Sequence, residues 1–228
     1  EEIKHTDPQA CVLSPSFHSS GNWAEKLDRF LAAGGGQYFD VVSQHFYFGE
    51  EPERAVSIIK AMKQVLAKHK LSHLPIWNSE TGWPFMEQRS KWPGLSLEEL
   101  VYAVTLRTYL LNASEGVSRV YWYAWDNKGM GFVDPSTNID FGSVAASAAI
   151  HQLDGVESVS CEVNGLLWQC RVTTTQRRFR VLWLSGKNVE PVLFTFKNNG
   201  MRWGRTLEPL PAGQKVALDG RPVIVEEN

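Results

Sequence analysis

The chain has 228 residues, a mass of 25.7 kDa, 43 % hydrophobic residues and a formal net charge of −2. That composition excludes a disordered or low-complexity chain. The near-neutral charge balance excludes the basic face that nucleic acid or an anionic membrane selects. No stretch approaches the ~20 apolar residues of a membrane helix, so no span is expected; no basic-then-apolar leader opens the sequence, so a secretion signal has been removed or never existed, and the location stays open.

The first ~150 residues alternate strand and helix signals. Ala10–Leu13 is a short apolar run closed by Ser14-Pro15. Trp23, Leu27, Phe30 and Leu31 recur at helical spacing until Gly34-Gly35-Gly36 stops them. Phe39–Tyr47 reads as a strand, and Ala55, Ile58, Ile59, Met62, Val65 and Leu66 mark one face of a helix. Glu50, Glu51 and Glu53 fall in its expected first turn, where acidic residues suit the helix dipole. Leu74-Pro75-Ile76-Trp77 opens the next strand. Ser96 and Glu99 make a capping-box pattern ahead of a helix with Leu97, Leu100, Val101, Val104 and Leu111 on one face. Val117–Trp125 is a fourth strand and Ala145–Gln152 a last short helix. Strand–helix units in series imply a parallel sheet with right-handed crossovers, and their spacing suits part of a (β/α) barrel.

From about residue 154 the rhythm changes to short β-rich runs: Val156–Val163, Leu166–Thr174, Phe179–Leu184, Pro191–Phe196, Met201–Leu207 and Pro222–Val225. These predict a small antiparallel β-sandwich over 154–228 after an α/β unit over 1–153. Asn164-Gly165 predicts a two-residue hairpin turn that pairs Val163 with Leu166. Cys161 then faces Trp168, and Cys170 lies on a diagonal roughly 7–8 Å away. That exceeds the Cα reach of a disulfide, so free thiols are expected. The Asn112-Ala113-Ser114 sequon matters only in a secreted eukaryotic protein.

Chemistry in a parallel α/β barrel sits at the C-terminal ends of the strands. Those ends read Gln44-His45-Phe46-Tyr47, Trp77-Asn78-Ser79-Glu80-Thr81-Gly82-Trp83 and Trp122-Tyr123-Ala124-Trp125-Asp126-Asn127. A carboxylate, an imidazole, phenols and indoles on one rim suit a sugar site, with flat apolar platforms for ring faces and polar groups for hydroxyls. Taken alone, a strand-end Glu is more often a solvated rim residue, and a lone His a hydrogen-bonded core residue. Asp126 fits a structural role as well as a functional one. The six His residues show no metal-ligand spacing, so no metal and no other cofactor is expected.

The run Leu74–Trp83 resembles the seventh strand of clan A glycoside hydrolases, retaining (β/α)8 enzymes, with family 39 among the relatives in view. Asp40–Tyr47 resembles their sixth strand, Gly116–Trp125 their eighth, and Asp7–Pro15 the approach to the fifth. The resemblance covers essentially the whole chain and implies strands five to eight of a TIM barrel followed by an accessory β-sandwich. It assigns Glu80 as nucleophile, with His45 and Tyr47 beside it and Trp125, Trp122, Trp83 and Asn78 in the substrate-binding set. Trp125 is the indole expected to face the cleft, and Trp83 serves either as a sugar platform or as a loop anchor. The clan's acid/base Glu follows an Asn at the fourth strand. No Asn-Glu-Pro occurs here, so that group is expected from elsewhere. Two functions follow: part of a retaining glycosidase, or a non-catalytic carbohydrate-binding or oligomerising fragment. The expected partners are a carbohydrate and either a complementary N-terminal half-barrel chain or a second copy, since a half-barrel exposes sheet edges and a face.

Overall fold

The computed structural model describes residues 2–18, 21–186, 189–204 and 206–227. A short helix α1 (Glu2–Thr6) precedes α2 (Trp23–Ala32), β1 (Val42–His45), α3 (Arg54–Lys68), β2 (Ile76–Thr81) and a single turn α4 (Phe85–Gln88). Next come α5 (Leu97–Ser114), β3 (Val117–Trp122), the two-residue pair β4 (Val133–Asp134) and β5 (Ile139–Asp140), and α6 (Ser143–His151). The C-terminal part is all β: β6 (Val156–Asn164), β7 (Leu167–Thr174), β8 (Arg178–Leu184), β9 (Val192–Thr195), β10 (Gly200–Trp203), β11 (Leu207–Leu210), β12 (Lys215–Leu218) and β13 (Val223–Glu226).

Strands β1, β2 and β3 form a parallel sheet in that order. The run expected as a strand before residue 14 contributes a single parallel bridge, Leu13 to Val41, and beyond it His18 bridges His45. Ser14-Pro15 accounts for this, because proline has no N–H for a ladder. The two faces of the sheet differ. Val42, Ile76 and Val117 point into the main core beneath α3 and α5. The alternate residues Ser43, Trp77, Ser79, Arg119 and Tyr121 point the other way, outside any hydrophobic cluster of the described residues. Arg119 lies over the Trp77 ring at 4.5 Å, and Tyr121, 44 % exposed, tilts against that ring.

Helix α5 starts at the expected capping box: Ser96 Oγ accepts from Glu99 N–H at 3.1 Å, and Glu99 accepts from Ser96 N–H at 2.7 Å. Its buried residues run almost without a break from Leu100 to Asn112, rather than along one stripe. A helix buried all round needs a layer on each side. It has the parallel sheet on one side and the antiparallel sheet on the other, where Tyr102 stacks on Trp203 at 4.9 Å.

The antiparallel sheet runs β11-β10-β13-β8-β7-β6, and a separate β9–β12 ribbon lies beside it. One face sends Cys170, Val172, Phe179, Val181, Trp183 and Ile224 into the core shared with α5. The other packs Leu182, Leu184, Val223 and Val225 against Val216 and Leu218 of the ribbon, with Phe194 beside them. The stretch expected as one strand over Met201–Leu207 folds into β10 and β11, and β12 was not anticipated.

Two expectations need correction. The hairpin turn is Gly165-Leu166, one residue later than Asn164-Gly165, with Gly165 at φ +59° as the first central position of a primed turn requires. The register therefore sets Cys161 opposite Cys170 with Cα atoms 4.0 Å apart, and they form a disulfide, leaving Cys11 free. In addition, Glu53 is no exposed first-turn residue. Its carboxylate takes Arg107 Nε at 2.8 Å and Nη2 at 2.6 Å, plus Trp183 Nε1 at 2.7 Å, and Arg107 is 1 % exposed. The guanidinium sits between the rings of Trp92 and Trp183. This buried pair ties the start of α3, and the loop before it, to the antiparallel sheet.

Candidate active site

The ends of β1, β2 and β3 meet at an open cleft of about 560 Å³, with Glu80, Tyr47 and Tyr123 on its walls. A shift in register between Gln44 and His45 sets His45, rather than Phe46, opposite Glu80. Glu80 Oε1 accepts the Tyr47 hydroxyl at 2.6 Å and lies 3.5 Å from His45 Nδ1. The Glu80 and His45 side chains remain 33 % and 29 % exposed, so a ligand can reach them. Tyr47 is half-buried and its ring stacks on His18 at 4.9 Å. Burial first, then the hydrogen bond and charge of Glu80, push the Tyr47 phenol well above its ordinary range, so it stays a proton donor to the carboxylate.

The backbone after Glu80 is fixed by buried bonds. Thr81 Oγ1 donates to Phe46 O at 2.8 Å, and Tyr123 N–H donates to Thr81 O at 2.6 Å. Gly82 packs so closely that a Cβ there would fall 2.2 Å from the Tyr123 carbonyl oxygen. Only glycine allows that approach, which explains the residue physically. The Tyr123–Ala124 peptide is cis.

The structure does not bring every expected residue to the cleft. Asn78 is fully buried: its Oδ1 accepts from Phe46 N–H at 3.2 Å and its Nδ2 donates to Asn112 Oδ1 at 3.2 Å, pinning β1 and α5 to the strand end. Asn112, the sequon asparagine, is buried and donates to Thr108 O, with no room for a glycan. Trp83 is fully buried edge-on to Phe85, the loop-anchor alternative. Trp122 stacks on Phe85 and Phe132, and its Nε1 reaches Met130 O at 3.4 Å. Trp125 is 62 % exposed against the edge of Phe132 and does not line the cleft. Tyr123, on the alternate side of that segment, lines it instead.

Further lining residues are His18, Gln88 and Met130, which the sequence does not single out, and Glu50, expected in the first turn of a helix that starts only at Arg54. Glu50 lies three residues after Tyr47, close enough to the strand end to have been a candidate. The other three are brought in by tertiary packing and carry no local signal. Lys91 Nζ grips Glu50 Oε1 at 2.6 Å. Among the described residues no group of three or more His, Cys, Asp or Glu could hold a metal ion, and no described helix is long and apolar enough to cross a membrane.

No family model matches the sequence, and no curated protein matches it. Solved structures do match in fold. A family 39 glycoside hydrolase from the gut symbiont Bacteroides cellulosilyticus WH2 aligns with 87 % of this chain and 46 % of its own, at 17 % identity and a TM-score of 0.65. A family 39 β-xylosidase from Caulobacter crescentus aligns with 99 % of this chain and 59 % of its own, at 13 % identity and a TM-score of 0.58. A family 86 glycoside hydrolase variant in complex with neoagarooctaose aligns with 98 % of this chain and 44 % of its own, at 10 % identity and a TM-score of 0.66. The chain thus spans 44–59 % of the length of these three proteins. In fold it is glycoside hydrolase-like, and it resembles part of the clan A glycoside hydrolases of families 39 and 86.

Proposed function

We infer that the chain forms the nucleophile side of a retaining glycosidase, equivalent to strands five to eight of a (β/α)8 barrel with an accessory β-sandwich. The observation that carries this reading is Glu80, partly exposed at a strand end in the cleft, with its Oε1 held by the Tyr47 hydroxyl at 2.6 Å. Glu80 attacks the anomeric carbon, the glycosidic oxygen leaves with the bonding pair, and a glycosyl ester forms. Water then attacks the same carbon and releases the carboxylate. With Oε1 bound by Tyr47, Oε2 is the attacking oxygen. Tyr47 and His45 position the carboxylate, and Tyr123 walls the cleft.

Retention needs a second carboxyl about 5–5.5 Å from the first to protonate the leaving group. Glu50 shares the cleft but is ion-paired with Lys91 at 2.6 Å. We assign the acid/base to a segment outside this chain. The face bearing Trp77, Arg119 and Tyr121 supports that assignment, because parallel sheets are covered on both sides. A complementary half-barrel segment is the partner proposed for it.

Dinitrophenyl β-glycosides test the nucleophile without the acid, because dinitrophenolate leaves unprotonated. The chain is expected to release a burst of about one dinitrophenolate per molecule and to gain the mass of one glycosyl unit on the Glu80 peptide. Glu80→Gln is expected to abolish both. Tyr47→Phe removes a hydrogen bond to a charged group, of the order of 1.5–3 kcal/mol. It is expected to slow the burst about 10- to 100-fold with little change in substrate affinity. Sugar binding without any release, or a burst that survives Glu80→Gln, would refute the assignment.

A further inference from the structure

The segment from Ser14 to His18 forms no strand, yet it is tied to β1 by side chains. Ser43 N–H donates to Ser14 Oγ at 2.9 Å, and Phe17 N–H donates to Gln44 Oε1 at 3.0 Å. Gln44 is fully buried, and the Phe17 ring packs against Phe30 with centroids 6.2 Å apart. His18 follows directly and bridges His45 at the end of β1. That anchoring lays its imidazole on the Tyr47 ring, with centroids 4.9 Å apart and planes 20° from parallel.

Tyr47 needs such support. It lies beyond the last residue of β1, and its N–H turns back onto His45 O at 3.2 Å instead of joining a ladder. The hydrogen bond to Glu80 fixes one point of the phenol, and the ring can still tilt about that point. A flat ring stacked on its face removes the tilt. It also keeps the O–H aimed along the bond, on which the strength of the bond depends.

We propose that His18 is a positioning residue for Glu80. It acts through Tyr47, whose ring it holds at the angle from which the hydroxyl binds Oε1 and leaves Oε2 free to attack. The proposal rests on the reading of Glu80 as a nucleophile. The stacked face does the positioning, so a ring without nitrogen atoms can replace the imidazole.

Two readouts on the whole chain test this. One is the dinitrophenolate burst. The other is the Cζ carbon NMR resonance of Tyr47, assigned with Tyr47→Phe, which reports the hydroxyl's bond without any turnover. His18 is exposed, so His18→Ala is expected to keep the melting temperature. It is expected to slow the burst about 3- to 10-fold and to leave the half-saturating glycoside concentration unchanged. It is also expected to move the Tyr47 resonance in the direction that Glu80→Gln moves it. His18→Phe keeps a flat ring and is expected to recover most of the lost rate and of the resonance position. In a Tyr47→Phe background, His18→Ala is expected to slow the burst no further, because its effect runs through the hydroxyl. A His18→Ala chain with burst and resonance unchanged overturns the proposal. So does a His18→Phe chain as slow as His18→Ala, or a loss that adds in full to that of Tyr47→Phe. The two readings fail separately. A burst indifferent to His18→Ala sinks this proposal alone. No burst from any chain, with a Tyr47 resonance that moves in His18→Ala, sinks the nucleophile reading and leaves His18 as the support of Tyr47. Neither burst nor movement overturns both.

Discussion

Replacing Glu53 by Gln removes the charge that compensates Arg107 while keeping shape and one acceptor oxygen. Arg107 is 1 % exposed and the Glu53 side chain 9 %, so water cannot take over the lost interaction. The two bonds at 2.6 and 2.8 Å form a bidentate pair, and Trp183 Nε1 loses part of its acceptor as well. Breaking one side of a buried pair costs about 3–5 kcal/mol, because the remaining charge stays desolvated. For a chain of this size each kcal/mol lowers the melting temperature by about 2–4 °C, so Glu53→Gln is expected to lower it by about 6–20 °C. Glu25→Gln is the control. Its partner Arg29 lies 3.7 Å away with both side chains more than 60 % exposed, and such a pair contributes at most about 1 kcal/mol. Replacing the whole pair, Glu53→Leu with Arg107→Met, is expected to cost less than Glu53→Gln alone, leaving chiefly the unpaired Trp183 N–H at about 1–3 kcal/mol. Thermal melts followed by circular dichroism, with urea unfolding for the free energies, provide the comparison. A Glu53→Gln chain that melts with the Glu25→Gln control would refute the reasoning, since the guanidinium would then have another source of compensation.

Gly82→Ala is expected to destabilise the fold by about 1–3 kcal/mol and to abolish the dinitrophenolate burst, because its Cβ meets backbone rather than a flexible side chain. A normal melt with a normal burst would contradict the packing described between β2 and Tyr123. The Cys161–Cys170 disulfide closes a loop with a sequence separation of 9, for which chain entropy gives about 2.7 kcal/mol. The unreduced chain unfolded in urea is expected to hold one titratable thiol, Cys11, which is exposed in the folded chain too, and reduction is expected to lower the urea midpoint; three thiols before reduction would contradict the pairing. Asp140 carries a pH signature: burial pushes its carboxyl up, but hydrogen bonds from the Ser143 hydroxyl and the Ser143 and Gly142 N–H groups outweigh this and hold it below the ordinary value. A depressed folded value means stability that is present above the unfolded pKa of about 3.9 and is lost as the pH falls through the folded one. The melting temperature of wild type is therefore expected to fall more steeply below about pH 4 than that of Asp140→Asn, and parallel curves would exclude these hydrogen bonds as contributors.

Elements with strong local signals were legible in the sequence. The Ser96–Glu99 box, the glycine stop after α2 and the period-two runs of β6 to β8 each depend on neighbours within a few residues. Features set by tertiary contact were not. The Cys161–Cys170 pair hinged on which residue of Asn164-Gly165-Leu166 takes the left-handed position, and a slip of one place moves every partner. Glu53 matches the composition of a first helical turn, and only the arrival of Arg107 and Trp183 from distant segments turns it inward. At the candidate site, Glu80, Tyr47 and His45 were readable because they end adjacent strands. The facing of Tyr123 against Trp125 was not, because the ladder stops at Trp122 and the alternation has nothing to propagate along. Asn78 has the polarity of a binding residue but serves the backbone, a distinction that residue type does not carry.

Beneath Glu80, on the face of the parallel sheet that also bears Trp77, Arg119 and Tyr121, lies a strip of alcohols. Ser16, Ser43 and Ser79 link to one another across three neighbouring segments, at 2.5 Å from Ser16 to Ser43 and 2.6 Å from Ser43 to Ser79. Barrel interiors are usually filled by layers of bulky branched side chains. A pavement of hydroxymethyl groups fills little of that volume and satisfies its own polarity sideways. On the half-barrel reading proposed above, a segment closing over it brings large residues opposite these small ones or leaves a wet chamber under the carboxylate. On that reading, this wall constrains the sizes of the side chains on the proposed far one.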